Sequence, residues 1–474
     1  MTKTRLTISL LAAAVFGGGY LLLVRHPRRD ALPTSKSDDG QNVVVESRPG
    51  LRSPAGYVGS FACRDCHPHE YQTYLETSHS RAMSEVVPNR EPPDGVFDHS
   101  LSGRRYRVTR REGRLMHEES LLLDGGDEMS VSSYPVKYAV GSGHFGKTYL
   151  CEVGGFLVES PVTWYSSRAT WGMSPGYDTP ENKSFTRVIS ENCLLCHVGR
   201  VQTSRASDLK MRVVEESIGC ERCHGPGQAH VERQTAGSKA GQPDASIVNP
   251  QRLLRKLSEA ICQQCHLQGD IPVLGRSVRL DAYRPGLPLE QFRCEFRMRR
   301  PGSGIPAVGH FEQMMQSACY RRSETLTCVT CHDPHAPLPS AERPDHYRSV
   351  CTTCHQDRGC KVPLETRQEK SENNCFKCHM PSSQSEVPHV AFTHHRIGIH
   401  PRRGAPPAAG ASEPLIPLSD LSALSDSDRL RTLPRELSRS TRSERQKRFE
   451  HWSCWAPWPT SKAALPKLAK GSST

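Results

Sequence analysis

The chain has 474 residues and a formal charge of +12 at pH 7, yet only 36% of its residues are hydrophobic, and Gly and Pro number 36 each. This composition excludes a large conventional apolar core, because too few side chains are available to fill one. A charge of +12 alone would favour an anionic partner, but 19 cysteines and 22 histidines are the more informative feature.

The N-terminal segment is predicted to be a membrane anchor. An apolar run from Leu6 to Val24 lies between basic residues and is just long enough to cross a bilayer. We expect residues 1–27 to form an uncleaved signal anchor, with a cleaved signal peptide as the alternative. Residues 28–56, which contain Pro, Ser and Asp, are predicted to be a linker.

One pattern, Cys-x-x-Cys-His, then occurs seven times between residues 63 and 379. It is typical of haem c attachment, in which two thiols add to the porphyrin vinyl groups and the adjoining imidazole binds the iron. The spacing of the last two motifs also fits a zinc ribbon. Zinc does not need a His after every second Cys, and a disulfide framework does not need one either, so we predict seven covalent haems c.

Each motif supplies two thioether cysteines and one proximal iron ligand. The predicted thioether residues are Cys63, Cys66, Cys193, Cys196, Cys220, Cys223, Cys262, Cys265, Cys328, Cys331, Cys351, Cys354, Cys375 and Cys378. The predicted proximal ligands are His67, His197, His224, His266, His332, His355 and His379.

Seven haems would change how composition and charge are interpreted. The porphyrins would serve as the interior of the protein, and their fourteen propionates would offset the positive charge, so nothing favours nucleic acid. Because c-type maturation takes place outside the cytoplasm, we predict a location on the periplasmic side of the cytoplasmic membrane. Release into the periplasm after signal cleavage is the alternative.

The predicted fold is mainly α, with short helices and loops packed around the haems in one cytochrome domain, residues 57–400. Residues 95–190 have a different pattern. Tyr106 to Thr109 before the Gly113 turn, and the segments around Gly154, predict β-hairpins. We expect a small β-rich insert there, between the first and second haems. The tail, residues 401–474, is rich in Pro, Ser, Arg and Ala and is predicted to be largely disordered.

Several segments resemble a known family. Y-V-G-S-F-A-C-R-D-C-H at 57–67 with S-H-S-R-A-M at 78–83, V-G-S-G-H-F-G-K-T-Y-L at 140–150 and C-H-D-P-H at 331–335 are similar to multihaem cytochromes c related to hydroxylamine oxidoreductase and pentahaem nitrite reductase. The resemblance is closest to the subfamily often fused to tetratricopeptide repeats. The CxxCK motif of the nitrite-reducing members is absent from this sequence.

Position and resemblance together suggest the distal iron ligands. His335 follows His332 by three residues and is aimed at a neighbouring iron, and the Gly-Pro-Gly turn after His224 brings His230 towards another. The predicted set is His79, His144, His230, His310, His335, His389 and His395, with His346 or His400 as substitutes and Met83 as a replacement for His79.

Five cysteines lie outside the motifs: Cys151, Cys294, Cys319, Cys360 and Cys454. Cys319 and Cys360 bracket two motifs and match family positions, and the resemblance therefore implies a disulfide between them.

Two classes of function remain. The first is an electron-transfer protein whose closely spaced bis-His haems pass electrons along a chain. Its partners would be other redox proteins or quinol-linked membrane complexes. The second is a haem-dependent oxidoreductase acting on a small nitrogen or sulfur compound such as nitrite, hydroxylamine or tetrathionate at one open iron. The carrier is favoured over the enzyme, and no catalytic residue is assigned.

Overall fold

An eight-stranded antiparallel sheet follows the first Cys-x-x-Cys-His motif in the computed structural model of the chain. The strand order is β2-β3-β4-β5-β6-β7-β8, and β1 pairs with β5 beside that path. The structure describes residues 56–204, 207, 209–237, 244–269, 271–275, 282–298, 309–356, 359–382, 393–400 and 415–425. The strands of the sheet are β1 (Met83–Glu85), β2 (Gly95–His99), β3 (Arg104–Arg111), β4 (Arg114–Leu122), β5 (Glu128–Val140), β6 (Gly146–Val153), β7 (Phe156–Tyr165) and β8 (Thr170–Met173).

The two predicted hairpins are present. β3 and β4 join at a turn in which Arg111 pairs with Arg114, and β6 and β7 join where Val153 pairs with Phe156. Gly113, at φ 71°, adopts a conformation that a residue with a side chain rarely takes.

The sheet nearly closes on itself, because its first and last strands meet. A Cβ atom at Gly95, on β2, would stand 2.4 Å from Cδ1 of Trp171 on β8. The Trp171 indole also donates from Nε1 to the carbonyl of Pro93 at 2.8 Å. Glycine is therefore required at residue 95 for the two edge strands to approach each other.

Inside the sheet lies an apolar core that contains no haem motif. It includes the fully buried Tyr106, Leu115, Tyr149 and Val162, with Trp171 against them. A second cluster joins the sheet to the second motif through Met83, Leu150, Leu157, Leu194 and Val198. The expectation that haems alone form the interior therefore fails for this part of the chain.

The helices are short and follow the motifs. Two further small sheets complete the described structure, one pairing β9 (Arg200–Thr203) with β10 (Met211–Glu215) and one joining β11 (Ile271–Leu274), β12 (Arg293–Met298) and β13 (Leu415–Pro417). The helices are α1 (Pro68–Tyr74), α2 (Glu191–Leu194), α3 (Glu221–His224), α4 (Gln228–Thr235), α5 (Arg255–His266), α6 (His310–Met314), α7 (Ala318–Arg322), α8 (Arg343–His355), α9 (Leu364–Ser371) and α10 (Cys375–His379).

The prediction of a mainly α fold with a small β insert is wrong. The large antiparallel sheet and the two smaller sheets give the protein a mixed α and β structure. The strands were underestimated because their outward faces carry many charges. Arg105, for example, bonds to Asp98 at 2.6 Å and to Glu128 at 2.6 Å, and such pairs obscure the apolar alternation of a strand.

The predicted membrane anchor, and with it the predicted location at the cytoplasmic membrane, is not supported. Across the residues that the structure describes, no helix has both the length and the apolar character needed to cross a membrane. The predicted anchor (1–27), nearly all of the predicted linker (28–56) and most of the predicted tail (401–474) lie outside the described residues.

Candidate haem sites

Short helical turns position the cysteines and histidine of most motifs. The second and third motifs begin on or beside α2 and α3, the fourth and sixth end α5 and α8, and the seventh forms α10. Residues three apart on a helix lie on one face, so one turn presents both thiols in the same direction. The imidazole that follows them is held directly beside the second thiol.

The structure brings four predicted proximal histidines opposite a second imidazole. The ring centres are 6.3 Å apart for His67 and His230, 5.8 Å for His224 and His335, 6.1 Å for His266 and His79, and 6.2 Å for His332 and His395. Two of these pairs are close to parallel, with interplanar angles of 23° (His67 and His230) and 16° (His224 and His335).

These separations fit an iron bound from both faces. With metal–nitrogen bonds of roughly 2 Å, two axial imidazoles have ring centres roughly 6 Å apart. Direct stacking or hydrogen bonding would bring most such rings closer together. The four pairs therefore suit the iron of a six-coordinate haem.

Hydrogen bonds at Nδ1 orient several of these rings and leave Nε2 for a metal. The Nδ1 of His224 lies 2.8 Å from the carbonyl of Val248, and that of His379 lies 3.1 Å from the carbonyl of Gly398. The Nδ1 of His230 lies 2.8 Å from the carboxylate of Asp244. Such partners set the tautomer and orientation of a ligating histidine.

Burial keeps several proximal imidazoles neutral, which is the form that binds a metal. It lowers the pKa of His197, His266 and His332 to about 4 for each.

Thiols of different motifs also lie close together. Four pairs are within hydrogen-bonding reach: Cys63 and Cys220, Cys196 and Cys265, Cys262 and Cys328, and Cys351 and Cys375. They bring the first motif beside the third, the second beside the fourth, the fourth beside the fifth, and the sixth beside the seventh.

Other contacts connect these groups of motifs. The carboxylate of Glu221, in the third motif, accepts hydrogen bonds from the amides of Val58 at 3.0 Å and Gly59 at 2.8 Å, just before the first motif. Tyr347 places its hydroxyl 3.4 Å from Nδ1 of His332 in the fifth motif and packs on Phe376 in the seventh, with ring centres 5.4 Å apart. With the His224–His335 pair, these contacts make the seven motifs one continuous group.

Other predicted distal ligands have different surroundings. His144 is exposed beside Phe145, with no imidazole of a motif against it in the described structure. The Nδ1 of His310 is 3.3 Å from the Nδ1 of His266, a direct contact that leaves no space for an iron between those atoms. His389 lies outside the described residues. Met83 is fully buried in the apolar cluster beside the second motif.

The two substitute histidines contact backbone carbonyls. The Nε2 of His346 lies 3.1 Å from the carbonyl of Cys331, and the Nε2 of His400 lies 3.2 Å from that of His379. In these positions both rings contact a motif backbone through the nitrogen that an iron would need.

The predicted disulfide between Cys319 and Cys360 is wrong, because both residues are free thiols. Cys319 instead lies near enough to Cys331 and Cys351 to contribute to raising the pKa of each thiol, although burial is the larger cause. Cys193 is disulfide-bonded in this structure, and the thioether predicted at this sulfur stays a prediction. In the described residues no group of three or more His, Cys, Asp or Glu side chains is arranged to hold a metal ion.

Sequence reasoning missed the residues that orient the imidazoles. Asp244 lies 14 residues after His230, in a segment without a recognisable motif. Val248 and Gly398 act through backbone carbonyls, which no residue type reveals. Only Tyr347 had a local signal, because it lies one helical turn before Cys351 on α8.

Residues 62–96 and 169–225 match the family model described as cytochrome c554 and c-prime. These stretches contain the first three Cys-x-x-Cys-His motifs and His79. The family model thus covers the part of the chain in which the first and third motifs contact each other.

The chain is 22% identical over 407 residues to the dissimilatory sulfite reductase MccA of Wolinella succinogenes, a match that covers 71% of this chain and 52% of the relative. It therefore spans about half the length of this curated relative.

Two solved structures are also similar. The outer cell wall cytochrome OcwA matches over 72% of this chain and 79% of that chain, at 16% identity and a TM-score of 0.43. The octaheme sulfite reductase MccA of Wolinella succinogenes matches over 78% of this chain and 63% of that chain, at 14% identity and a TM-score of 0.34. The seven motifs, the family model and the curated relative agree on the class of protein. Together they support a multihaem c-type cytochrome with covalently bound haem c.

Proposed function

We propose that this protein transfers electrons along seven covalently attached haems. The observation that carries the proposal is the set of four facing imidazole pairs, because a haem closed on both faces by histidine exchanges electrons but has no free position for a substrate. Other redox proteins would act as its electron donors and acceptors. The narrower kinship with the subfamily often fused to tetratricopeptide repeats is part of the same proposal.

The distal ligands follow from the imidazole pairs. We assign His230 to the iron of the first motif, His335 to that of the third, His79 to that of the fourth and His395 to that of the fifth. His310 contacts the Nδ1 of His266, the ring nitrogen that would not bind the iron. His310 is therefore a positioning residue rather than a ligand.

The chain's own residues would control the haems in three ways. Haem c supplies one-electron chemistry at low potential when both axial ligands are histidine. The carbonyls of Val248 and Gly398 and the carboxylate of Asp244 hold imidazoles in the orientation that leaves Nε2 for the iron. Contacts between motifs, such as those of Glu221 and Tyr347, fix the spacing of neighbouring haems.

A reductase is the second candidate, and one specific observation favours it. His355, the predicted proximal ligand of the sixth motif, is exposed and has no imidazole against it among the described residues. An iron held there with one free axial position could bind a small nitrogen or sulfur oxyanion. The relative MccA is named a dissimilatory sulfite reductase.

Electron paramagnetic resonance separates the two functions. The holoprotein, purified from a host competent in cytochrome maturation, is oxidised and measured alone and with sulfite, nitrite or hydroxylamine. The electron-transfer proposal predicts low-spin signals that none of these ligands changes. A high-spin signal that one ligand alters, together with turnover of that compound by the reduced protein, would instead establish the reductase.

A further inference from the structure

A small cleft lies where the second, third and fourth motifs meet. Each motif contributes residues from between its two cysteines to the wall, namely Leu195, Arg222 and Gln264. Arg200, at the start of β9, and Tyr283 also line the cleft.

Three buried donor atoms in this wall have no hydrogen-bond partner in the described structure. They are Nε of Arg200, Nε of Arg222 and the hydroxyl of Tyr283, a side chain that is only 5% exposed. Buried polar atoms are nearly always paired in folded proteins, because an unpaired one costs free energy. All three atoms can donate and two belong to guanidinium groups, so an anionic acceptor suits them.

The carboxylate in the wall does not meet this requirement. Glu221 accepts from the amides of Val58 and Gly59 and, at 2.7 Å, from that of Gly227, so backbone donors surround it. Within the residues that the structure describes, neither Arg200 nor Arg222 forms an ion pair with it.

Backbone and ring contacts hold the two arginines in place. Arg222 donates from Nη2 to the carbonyl of Leu195 at 2.9 Å. The guanidinium carbon of Arg200 lies 5.5 Å from the centre of the Tyr57 ring, and that of Arg284 lies 5.3 Å from the same ring. The cleft therefore has positive charge on its wall and at its rim.

We propose that this cleft binds a small free oxyanion of the size of sulfate, through Arg200, Arg222 and Tyr283. A haem propionate is the other anion that would suit these donors, and the test below distinguishes it from a free oxyanion. The site does not depend on the electron-transfer proposal.

A bound anion would affect the neighbouring haems by its charge. Negative charge next to a haem stabilises the ferric form relative to the ferrous form. Sulfate in the cleft therefore lowers the reduction potentials of the haems on the second, third and fourth motifs.

Calorimetry with sodium sulfate on the holoprotein tests the site directly. One saturable site is expected in the parent protein, with affinity reduced at least about tenfold in Arg200→Gln, Arg222→Gln and Tyr283→Phe. Arg212→Gln is the matched control, because Arg212 is an exposed arginine on the neighbouring strand β10 that bonds to Gln202 at 2.9 Å. The Arg212→Gln substitution is expected to leave sulfate affinity unchanged. Redox titration of the parent with and without sulfate measures the predicted fall in potential.

Two other outcomes would overturn the proposal. If sulfate does not bind but Tyr283→Phe shifts the infrared band of a haem propionate, the anion is a propionate from another motif, and the assignment to a free oxyanion is overturned. If sulfate does not bind and Tyr283→Phe changes no propionate band, no anion site exists. Haem content, measured for every variant by visible absorption, separates these results from failed maturation. Arg200 and Tyr283 lie outside the motifs. If Arg222→Gln fails to mature, sulfate binding by Arg200→Gln and Tyr283→Phe still tests the site.

Discussion

The imidazole rings of His67 and His230 face each other with their centres 6.3 Å apart and their planes 23° from parallel. His67 completes the first motif, whereas His230 lies on α4, after the third motif. One haem held between them would tie together two parts of the chain that are more than 160 residues apart.

Replacing His230 tests this assignment. In His230→Ala, we expect the first haem to lose one axial ligand, so that about one haem in seven changes from low to high spin. Electron paramagnetic resonance of the oxidised protein measures that fraction. His69→Ala, an exposed histidine on α1, is the control and leaves the spectrum unchanged. A fully low-spin spectrum in His230→Ala would show that another residue binds this iron.

Asp244 is expected to tune the potential of the same haem. Its carboxylate lies 2.8 Å from Nδ1 of His230 and strengthens that imidazole as a ligand of ferric iron. Asp244→Asn should therefore raise one midpoint potential, by an amount on the order of 50 mV, because a tenfold change in the equilibrium of a one-electron couple is about 59 mV. Spectroelectrochemical titration measures it, with the exposed Asp124→Asn as control. Equal potentials in the two variants would rule out this role.

The motifs could be predicted from sequence because their geometry is local. Five consecutive residues define each one, and the distal candidates His230 and His335 lie within a few residues of another motif. Both face a proximal histidine in the structure, His67 and His224 respectively.

The other contacts depend on long-range packing. His310 is 44 residues from His266 in sequence but only 3.3 Å away between the two Nδ1 atoms. The extent of the sheet is hard to predict from sequence for a related reason. On β3, buried Tyr106 and Val108 alternate with arginines whose partners lie on other strands, and a single strand read alone looks polar.

Closure of the sheet at Gly95 is testable by substitution. Gly95→Ala introduces a methyl group 2.4 Å from Cδ1 of Trp171 and should lower the free energy of unfolding by about 1–3 kcal/mol. Thermal unfolding followed by circular dichroism measures the loss. Combining it with Trp171→Phe relieves the clash, so the double variant should lose less than the sum of the two single variants. Strict additivity would mean that the two residues do not meet.

The raised pKa of Glu159 predicts that the free energy of unfolding depends on pH. Burial raises its pKa from 4.5 to about 7, although Arg187 opposes the shift. The folded protein then binds this proton more tightly than the unfolded chain, so the free energy of unfolding falls as the pH rises from about 4.5 to about 7 and stays lower above that. Melting temperatures at pH 5 and pH 8 measure the effect.

Glu159→Gln removes part of that pH dependence. Glu312, beside Arg297, also has a pKa raised to about 7 by burial, so a second contribution remains in the variant. The control is Glu152→Gln, an exposed residue paired with Lys137, which leaves the dependence intact. A variant with the same difference between pH 5 and pH 8 as the parent would contradict the assignment to Glu159.

The mass of the purified mature protein, produced in a host competent in cytochrome maturation, tests the central claim most directly. The account predicts the mass of the polypeptide plus seven haem groups that survive denaturation, because each is held by thioether bonds. A mass without added haem, or haem that separates on denaturation, would contradict the account.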